Sequence, residues 1–269
     1  MENMLRGDNV GLIANRQVKL EKVTHFSVGR SLVDRHVLET GNASGYFFPL
    51  YLYPKDNPTL FDRPSTNAKG GRSPNLAPEF TADISTRLGI EFIADGKGDG
   101  KTTFGPEDIF NYMYAVFHSP TYRQRYAEFL KIDFPRVPLT ANNKLFKALG
   151  TKGEELVELH LMKSKKLNKL ITKIEGEGDN VVSKITYQPK EQRVYINKTR
   201  YFEGIDPEIW EFKIGGYQVL DKWLTDRKKA QRTLSFDEVL HYQKIVVSLK
   251  ETRELMLEID SIIPGFPIE

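Results

Sequence analysis

Two packed helices are predicted by residues 105–130, whose sequence is GPEDIFNYMYAVFHSPTYRQRYAEFL. The first helix begins at Pro106, because proline suits the first helical turn and Glu107 and Asp108 then place carboxylates at the positive helix end. Ser119-Pro120 repeats this start signal. Apolar side chains recur along both helices at helical spacing, namely Ile109, Tyr112, Met113, Val116, Phe117, Tyr122, Tyr126, Phe129 and Leu130.

On the N-terminal side of this stretch the sequence predicts strands at residues 10–18 and 46–53, the second rich in aromatic residues. Residues 54–78 contain five prolines and Gly70-Gly71, which is typical of a long loop. A short helix is predicted for residues 78–88.

On the C-terminal side, residues 141–174 show a helical pattern that breaks near Gly150–Gly153 and ends as an exposed basic helix, Lys163–Lys173. A hairpin is predicted for residues 181–187 with 193–197, a strand for 209–214 and a helix for 217–226. A capping box at Ser235–Glu238 starts a long helix that extends to Asp260.

These patterns predict a mixed α/β (α+β) fold with a helical region, small sheets and a long C-terminal helix. The 269 residues suffice for one large domain or for two lobes, which we place at residues 1–175 and 176–269. Residues 1–6 lead almost directly into a strand, so we expect residues 1–269 to be a fragment of a larger protein.

The composition excludes some classes of protein. The chain has no cysteine, so it has no disulfide, thiolate metal site or cysteine nucleophile. No apolar run is long enough to span a membrane and the first residues do not resemble a signal peptide, so we expect a cytoplasmic protein. A net charge of +3 permits a polyanionic partner without requiring one.

Three short motifs resemble catalytic or ligand-binding sites but lack essential residues. Gly100-Lys101-Thr102 matches the end of a phosphate-binding loop, whose first glycine would fall at Asp95. The same segment fails as a calcium loop, because Pro106 stands where the closing glutamate belongs. Glu211-Phe-Lys213 has the form of a metal-dependent nuclease motif, but its upstream acid, Asp206, is too close.

The remaining chemistry-bearing residues also form no known catalytic set. The five histidines are scattered without metal-ligand spacing, so we predict structural roles and no metal. Nucleophile-elbow and dinucleotide-binding motifs are absent, as is the Asn/Asp-Pro-Pro-Tyr motif of adenine methylation. These absences favour a binding or scaffold domain.

Residues 114–140 carry a resemblance to a known family. Together with several further blocks they resemble the C-terminal specificity domain of type ISP restriction-modification enzymes of prokaryotes, in which a nuclease, a helicase-like ATPase motor, an adenine methyltransferase and this domain follow one another. The further blocks are residues 9–13 with Arg16-Gln17, 48–53, 103–110, 201–204 and 210–224. They are colinear and extend nearly from end to end.

The resemblance implies a target-recognition domain that binds duplex DNA in a sequence-specific manner and presents an adenine to the neighbouring methyltransferase domain. Double-stranded DNA and that upstream domain are the expected partners. This chain would not be an enzyme by itself. S-adenosylmethionine, ATP and Mg²⁺ would be needed only in the upstream domains.

Residues that contact DNA should lie in loops, where Lys and Arg bind phosphates and Arg, Asn or Gln discriminate bases. The predicted DNA-binding residues are Arg16, Gln17, Arg30, Arg35, Arg72, Asn75, Lys213, Lys222, Arg227, Lys228 and Lys229. Each has a structural alternative; 227–229, for example, can also be a solvated helix end. Arg123 and Arg125 are predicted to pair with acids such as Glu107, Asp108 or Glu128, and Trp223 to belong to the core.

Two rival functions remain at this stage. The chain can be a scaffold that docks the methyltransferase to the motor without contacting bases. It can also be a metal nuclease that uses Glu211 and Lys213.

Overall fold

The computed structural model describes residues 2–18, 26–34, 37–38, 45–54 and 69–268. The chain forms two compact units: the first comprises Met1–Leu161 and Leu255–Glu269, and the second comprises Met162–Glu254. Helices and several small sheets are both present, which confirms the predicted mixed α/β class. The lobe division after residue 175 stays a prediction, and residue 175 lies within the second unit.

A three-stranded antiparallel sheet of order β2-β1-β3 begins the first unit. Its strands are β1 (Gly11–Asn15), β2 (Phe26–Gly29) and β3 (Gly45–Pro49). Every residue of β1 is buried, whereas Tyr46 and Phe48, which share one face of β3, are exposed. Two short pairs follow, antiparallel β4 (Tyr51–Leu52) with β5 (Ser73–Pro74) and parallel β6 (Glu91–Phe92) with β7 (Thr103–Phe104).

Pro78, Pro106 and Pro120 begin helices, as the sequence predicts, but the predicted second helix is divided at Tyr126. Five helices lie entirely among the described residues of the first unit. They are α1 (Pro78–Leu88), α2 (Pro106–His118), α3 (Pro120–Arg125), α4 (Ala127–Ile132) and α5 (Asn143–His160), with short 3-10 turns at Glu2–Met4 and Lys69–Gly71. At the start of α2 the Asp108 carboxylate accepts the Gly105 amide at 2.8 Å. At the start of α3 the Ser119 hydroxyl accepts the Tyr122 amide at 3.0 Å.

The predicted break near Gly150–Gly153 is wrong, because α5 continues through both glycines. Gly153 lies against the backbone of α2, and a Cβ at this position would stand 1.8 Å from the Asn111 carbonyl oxygen. A Cβ at Gly150 would meet only the Asp108 carbonyl oxygen, at 3.9 Å. Gly153 therefore serves the close approach of two helices rather than a turn.

The second unit contains an antiparallel sheet of order β8-β11-β10-β9. Its strands are β8 (Lys173–Glu175), β9 (Thr186–Gln188), β10 (Arg193–Tyr195) and β11 (Tyr201–Glu203). The β9–β10 pair confirms the predicted hairpin. The remaining elements are helix α6 (Pro207–Trp210), the hairpin β12 (Lys213–Ile214) and β13 (Tyr217–Gln218), and helices α7 (Val219–Lys229) and α8 (Phe236–Ile262).

Two sequence predictions in this unit are wrong. Residues 163–173 are not a basic helix, because α5 ends at His160 and only the 3-10 turn Lys165–Asn168 precedes β8. Residues 209–214 contain the end of α6 and the short strand β12 instead of one strand. The aliphatic pattern alone did not show that Pro207 begins a helical turn there.

The core of the second unit packs the sheet against α7 and α8, with Val194, Phe202, Leu220, Leu224, Tyr242 and Val246 almost completely buried. The capping box at the start of α8 is confirmed: the Glu238 amide donates to the Ser235 hydroxyl at 3.2 Å, and the Ser235 amide donates to the Glu238 carboxylate at 3.1 Å. The last part of α8, from Leu255, belongs to the first unit, where Asp260 accepts a 2.7 Å bond from the Thr121 hydroxyl.

Candidate nucleic-acid interface

Arg16 and Gln17 lie directly after β1, and both are exposed. The Arg16 side chain is 60% exposed, and its Nε stands 3.2 Å from the Asp133 carboxylate, which is 52% exposed. Hydrogen bonds, from the Phe134 amide first and then from Arg16, lower the pKa of Asp133. An ion pair as open as this contributes little to stability, so the guanidinium can exchange partners.

Arg30 follows the end of β2, which pairs antiparallel with β1, so it lies at the opposite end of the sheet from Arg16 and Gln17. Its Nη1 stands 2.7 Å from the Asp8 carboxylate, and both side chains are exposed. Arg35 lies outside the described residues.

An exposed aromatic surface and an apolar cavity lie beside the Arg16–Asp133 pair, and the sequence analysis missed both. Phe134, the neighbour of Asp133, makes edge contacts with the exposed rings of Tyr46 and Phe48 at 5.0 and 5.4 Å between centroids. A cavity of about 290 Å³ opens between β1, β3 and α2, and its lining includes Phe48, Phe117, Phe134 and Asn75. The aromatic run Tyr46–Phe48 is the sequence signal that could have indicated this surface, because alternate residues of a strand share one face.

Arg72 and Asn75 take structural positions, which argues against the predicted DNA contacts. Arg72 is 7% exposed, its Nε donates to Asp95 at 2.7 Å and its guanidinium lies 3.7 Å from the centre of the Tyr51 ring. The Asn75 amide group donates to the Pro49 carbonyl at 2.9 Å. Arg72 thus holds residue 95 and β4 together from inside the first unit.

In the second unit Lys213, Lys228 and Lys229 are exposed. Lys213 lies on β12, opposite Gln218 of β13. Lys228 and Lys229 form the last turn of α7, where cations also stabilise the negative end of the helix dipole. These three side chains are sterically able to reach a polyanion.

Lys222 and Arg227 of α7 are less available to a polyanion, because both side chains contact other residues of this unit. Lys222 pairs with Asp226, and its Nζ lies 5.1 Å from the centre of the Tyr217 ring. Arg227 stacks on the Trp223 ring at 3.5 Å, and burial lowers its pKa. Trp223 packs against the core of this unit, as predicted.

A polar cluster in the first unit contains two of the described histidines. The Tyr114 hydroxyl and His160 Nδ1 are 2.6 Å apart, and His118 Nδ1 bonds to the Tyr114 carbonyl at 2.7 Å. Burial, followed by the neighbouring Arg123, lowers the pKa of His160 to about 4. Arg123 does not pair with the predicted acids, because its Nε donates to the Phe117 carbonyl at 2.6 Å.

Hydrogen bonds between its own residues hold the loop of residues 95–103. The Asp99 carboxylate accepts hydrogen bonds from the amides of Lys101, Thr102 and Thr103 at 2.8–2.9 Å, and these bonds lower its pKa.

Asp206 and Glu211, the acids of the nuclease-like motif, flank the short helix α6, and Asp206 accepts a 2.6 Å bond from Gln192. Within the described ranges no three His, Asp or Glu side chains form a metal-binding group, and no helix is long and apolar enough to cross a membrane.

Three solved structures share the fold of this chain. A nuclease-deletion mutant of the Type ISP restriction-modification enzyme LlaGI, in complex with a DNA substrate mimic, aligns with 98% of this chain at a TM-score of 0.61 and 21% identity. The ATP-dependent Type ISP enzyme LlaBIII bound to DNA also aligns with 98%, at 0.65 and 19%. A DrdV–DNA complex gives 98%, 0.61 and 20%.

The chain spans 22%, 16% and 25% of the length of these three solved chains, respectively. No curated protein matches it. The family model of the Type ISP C-terminal specificity domain matches residues 1–258, which is nearly the whole chain. The chain therefore belongs to the Type ISP C-terminal specificity domain family.

Proposed function

We propose that this chain recognises a short duplex DNA sequence and presents an adenine in it to an adjacent methyltransferase domain. The family match over residues 1–258 carries this proposal. The solved LlaGI, LlaBIII and DrdV structures, which share the fold, are complexes with DNA or a DNA mimic. The chemistry of methylation, cleavage and ATP hydrolysis belongs, in this proposal, to other parts of a larger polypeptide.

The exposed cations divide into two groups by the contacts that they can make. Arg16 and Arg30 each carry a planar donor fork suited to guanine, and Gln17 offers the donor and acceptor that adenine requires. Arg16 and Gln17 follow β1 and Arg30 follows β2, at opposite ends of the same antiparallel sheet, whose hydrogen bonds hold the backbone next to each side chain. Lys228 and Lys229 are point charges, which suit phosphate contacts and add affinity without sequence preference.

The experiment is selection from a random duplex library by the purified chain at about 50 and about 150 mM salt, because phosphate contacts weaken as salt rises. We expect an asymmetric motif of a few base pairs, bound more tightly than scrambled DNA at both salt concentrations. Arg16→Ala should then relax the motif at one position, with a loss of about 1–3 kcal/mol of discrimination. The matched control is Arg87→Ala, which removes an exposed arginine of α1 that pairs with Asp83.

A scaffold function is the second candidate, and the exposed aromatic surface of Tyr46, Phe48 and Phe134 favours it, since aromatic residues are enriched at protein interfaces. The two functions give different results in the selection. A scaffold enriches no motif, either alone or fused to a methyltransferase domain, and that result would contradict target recognition.

A further inference from the structure

The first segment of the second unit is strongly basic. Residues 162–173, called here the lysine segment, have the sequence MKSKKLNKLITK, with five lysines and no acidic residue. In place of the predicted basic helix, the segment forms one 3-10 turn and then enters β8.

Two buried side chains fix the lysine segment to its unit. Leu167 is 1% exposed and Thr172 is 2% exposed. The Thr172 hydroxyl donates to the Glu203 carbonyl at 2.5 Å, and the Gln243 side-chain amide of α8 donates to the Thr172 carbonyl at 2.7 Å. Exposed Lys169 lies between these two points, and exposed Lys163 and Lys165 lie just before Leu167.

Three of these lysines, Lys163, Lys165 and Lys169, are exposed and form no ion pair within the described part of the chain. Lys166, in contrast, pairs with Glu251 at 3.0 Å. Elsewhere in this unit Arg193 pairs with Glu203. Like charges on a fixed segment repel each other, and a polyanion relieves that repulsion.

We propose that Lys163, Lys165 and Lys169 bind phosphates of the DNA backbone outside the bases that are recognised. The proposal rests on the proposed function and adds to it a surface that is separate in sequence from Lys213, Lys228 and Lys229. A protein partner fits this segment less well, because lysine is depleted in protein interfaces. Lysine also lacks the paired donor geometry for reading a base, so the contacts should contribute equally to every duplex sequence.

The test is the salt dependence of duplex binding by the complete 269-residue chain carrying Lys163→Gln, Lys165→Gln and Lys169→Gln. The slope of log K against log salt should become shallower by about 0.9 for each DNA phosphate that the variant no longer neutralises. The affinity ratio between the selected motif and scrambled DNA should stay unchanged. The triple Lys→Arg variant should keep the wild-type slope, because it keeps the charge.

A control variant carries Lys101→Gln, Lys144→Gln and Lys147→Gln, which removes the same charge from exposed lysines of the first unit. Its slope should remain that of the wild type, and thermal unfolding should show that both triple variants are folded. An unchanged slope in the lysine-segment variant, or an equal change in the control, overturns the inference while target recognition stands. A wild-type chain that binds no duplex, either alone or fused to a methyltransferase domain, overturns both.

Discussion

The two units differ in where they keep their charges. The first unit encloses titratable groups: Arg72 and His118 are buried, and His160 bonds to a buried tyrosine. The second unit has an apolar core, and its buried polar residues are neutral ones: Thr172, Gln243, Ser248 and Thr252. A cation of the first unit can therefore be a structural element, whereas the lysines at the surface of the second unit are open to a ligand.

This difference shows that residue type alone does not identify a DNA contact. The sequence places Arg72 in a loop and Lys228 at a helix end, and it predicts both as DNA contacts. Only Lys228 is exposed. Substitutions in the interior of the first unit should reduce stability. Substitutions at the surface of the second unit should reduce DNA affinity and leave stability unchanged.

The largest expected effect is at Gly153. In Gly153→Ala the new Cβ would meet the Asn111 carbonyl, 1.8 Å away, so α2 and α5 must separate. We expect a loss of at least about 3 kcal/mol in the free energy of unfolding, measured with urea. Gly150→Ala is the matched control: it should be neutral or stabilise the protein by up to about 1 kcal/mol, because alanine favours the helix. Equal effects at both positions would contradict close helix packing as the role of Gly153.

Arg72→Ala should have the next largest effect. It removes the partner of Asp95 and the packing on Tyr51, and we expect a loss of about 2–3 kcal/mol in the free energy of unfolding. Arg30→Ala, which breaks an exposed pair with Asp8, should lose less than about 1 kcal/mol. If Arg72→Ala is as stable as Arg30→Ala and loses DNA binding, then Arg72 is a DNA contact after all.

Acidification should destabilise the first unit through His160. The pKa of folded His160 is lowered to about 4 by burial and then by Arg123, so the unfolded chain, with a pKa near 6.5, takes up the proton more readily. Neutral His160 therefore costs the folded protein no stability above pH 6.5. The free energy of unfolding decreases as the pH falls from 6.5 toward 4, because the unfolded chain binds the proton first. We expect His160 to contribute up to about 3 kcal/mol of this loss. The His160→Gln variant should show a shallower dependence of unfolding free energy on pH, and an identical dependence would refute the assignment.

The smallest effect on stability is expected at the end of α7. The double variant Lys228→Gln and Lys229→Gln removes two exposed charges, and the free energy of unfolding should change by less than about 0.5 kcal/mol. Its affinity for all duplexes should fall by a similar factor and become less sensitive to salt. A large loss of stability with unchanged DNA binding would show that these lysines serve only the helix end.

Interactions between residues close in sequence account for most of the elements that the sequence predicts correctly. Pro78, Pro106 and Pro120 each begin a helix, and Ser235 with Glu238 caps the longest one, because these interactions involve residues within one turn. The predicted helix break at Gly153 was wrong, because glycine is needed there for close contact with the Asn111 carbonyl, 42 residues away in the sequence. The predicted helix at 163–173 was also wrong, because helical spacing did not indicate the anchoring of Thr172 by Gln243.

By itself the sequence determined the family, the mixed α/β class and the starts of the main helices, because these depend on colinear blocks and on neighbouring residues. The tertiary structure decided which cations face the solvent. Arg72 meets Asp95 and Tyr51 from distant segments of the chain, and Lys163, Lys165 and Lys169 remain without acidic partners among the described residues. Burial and ion pairing arise from contacts between distant segments, which residue type and local spacing do not encode.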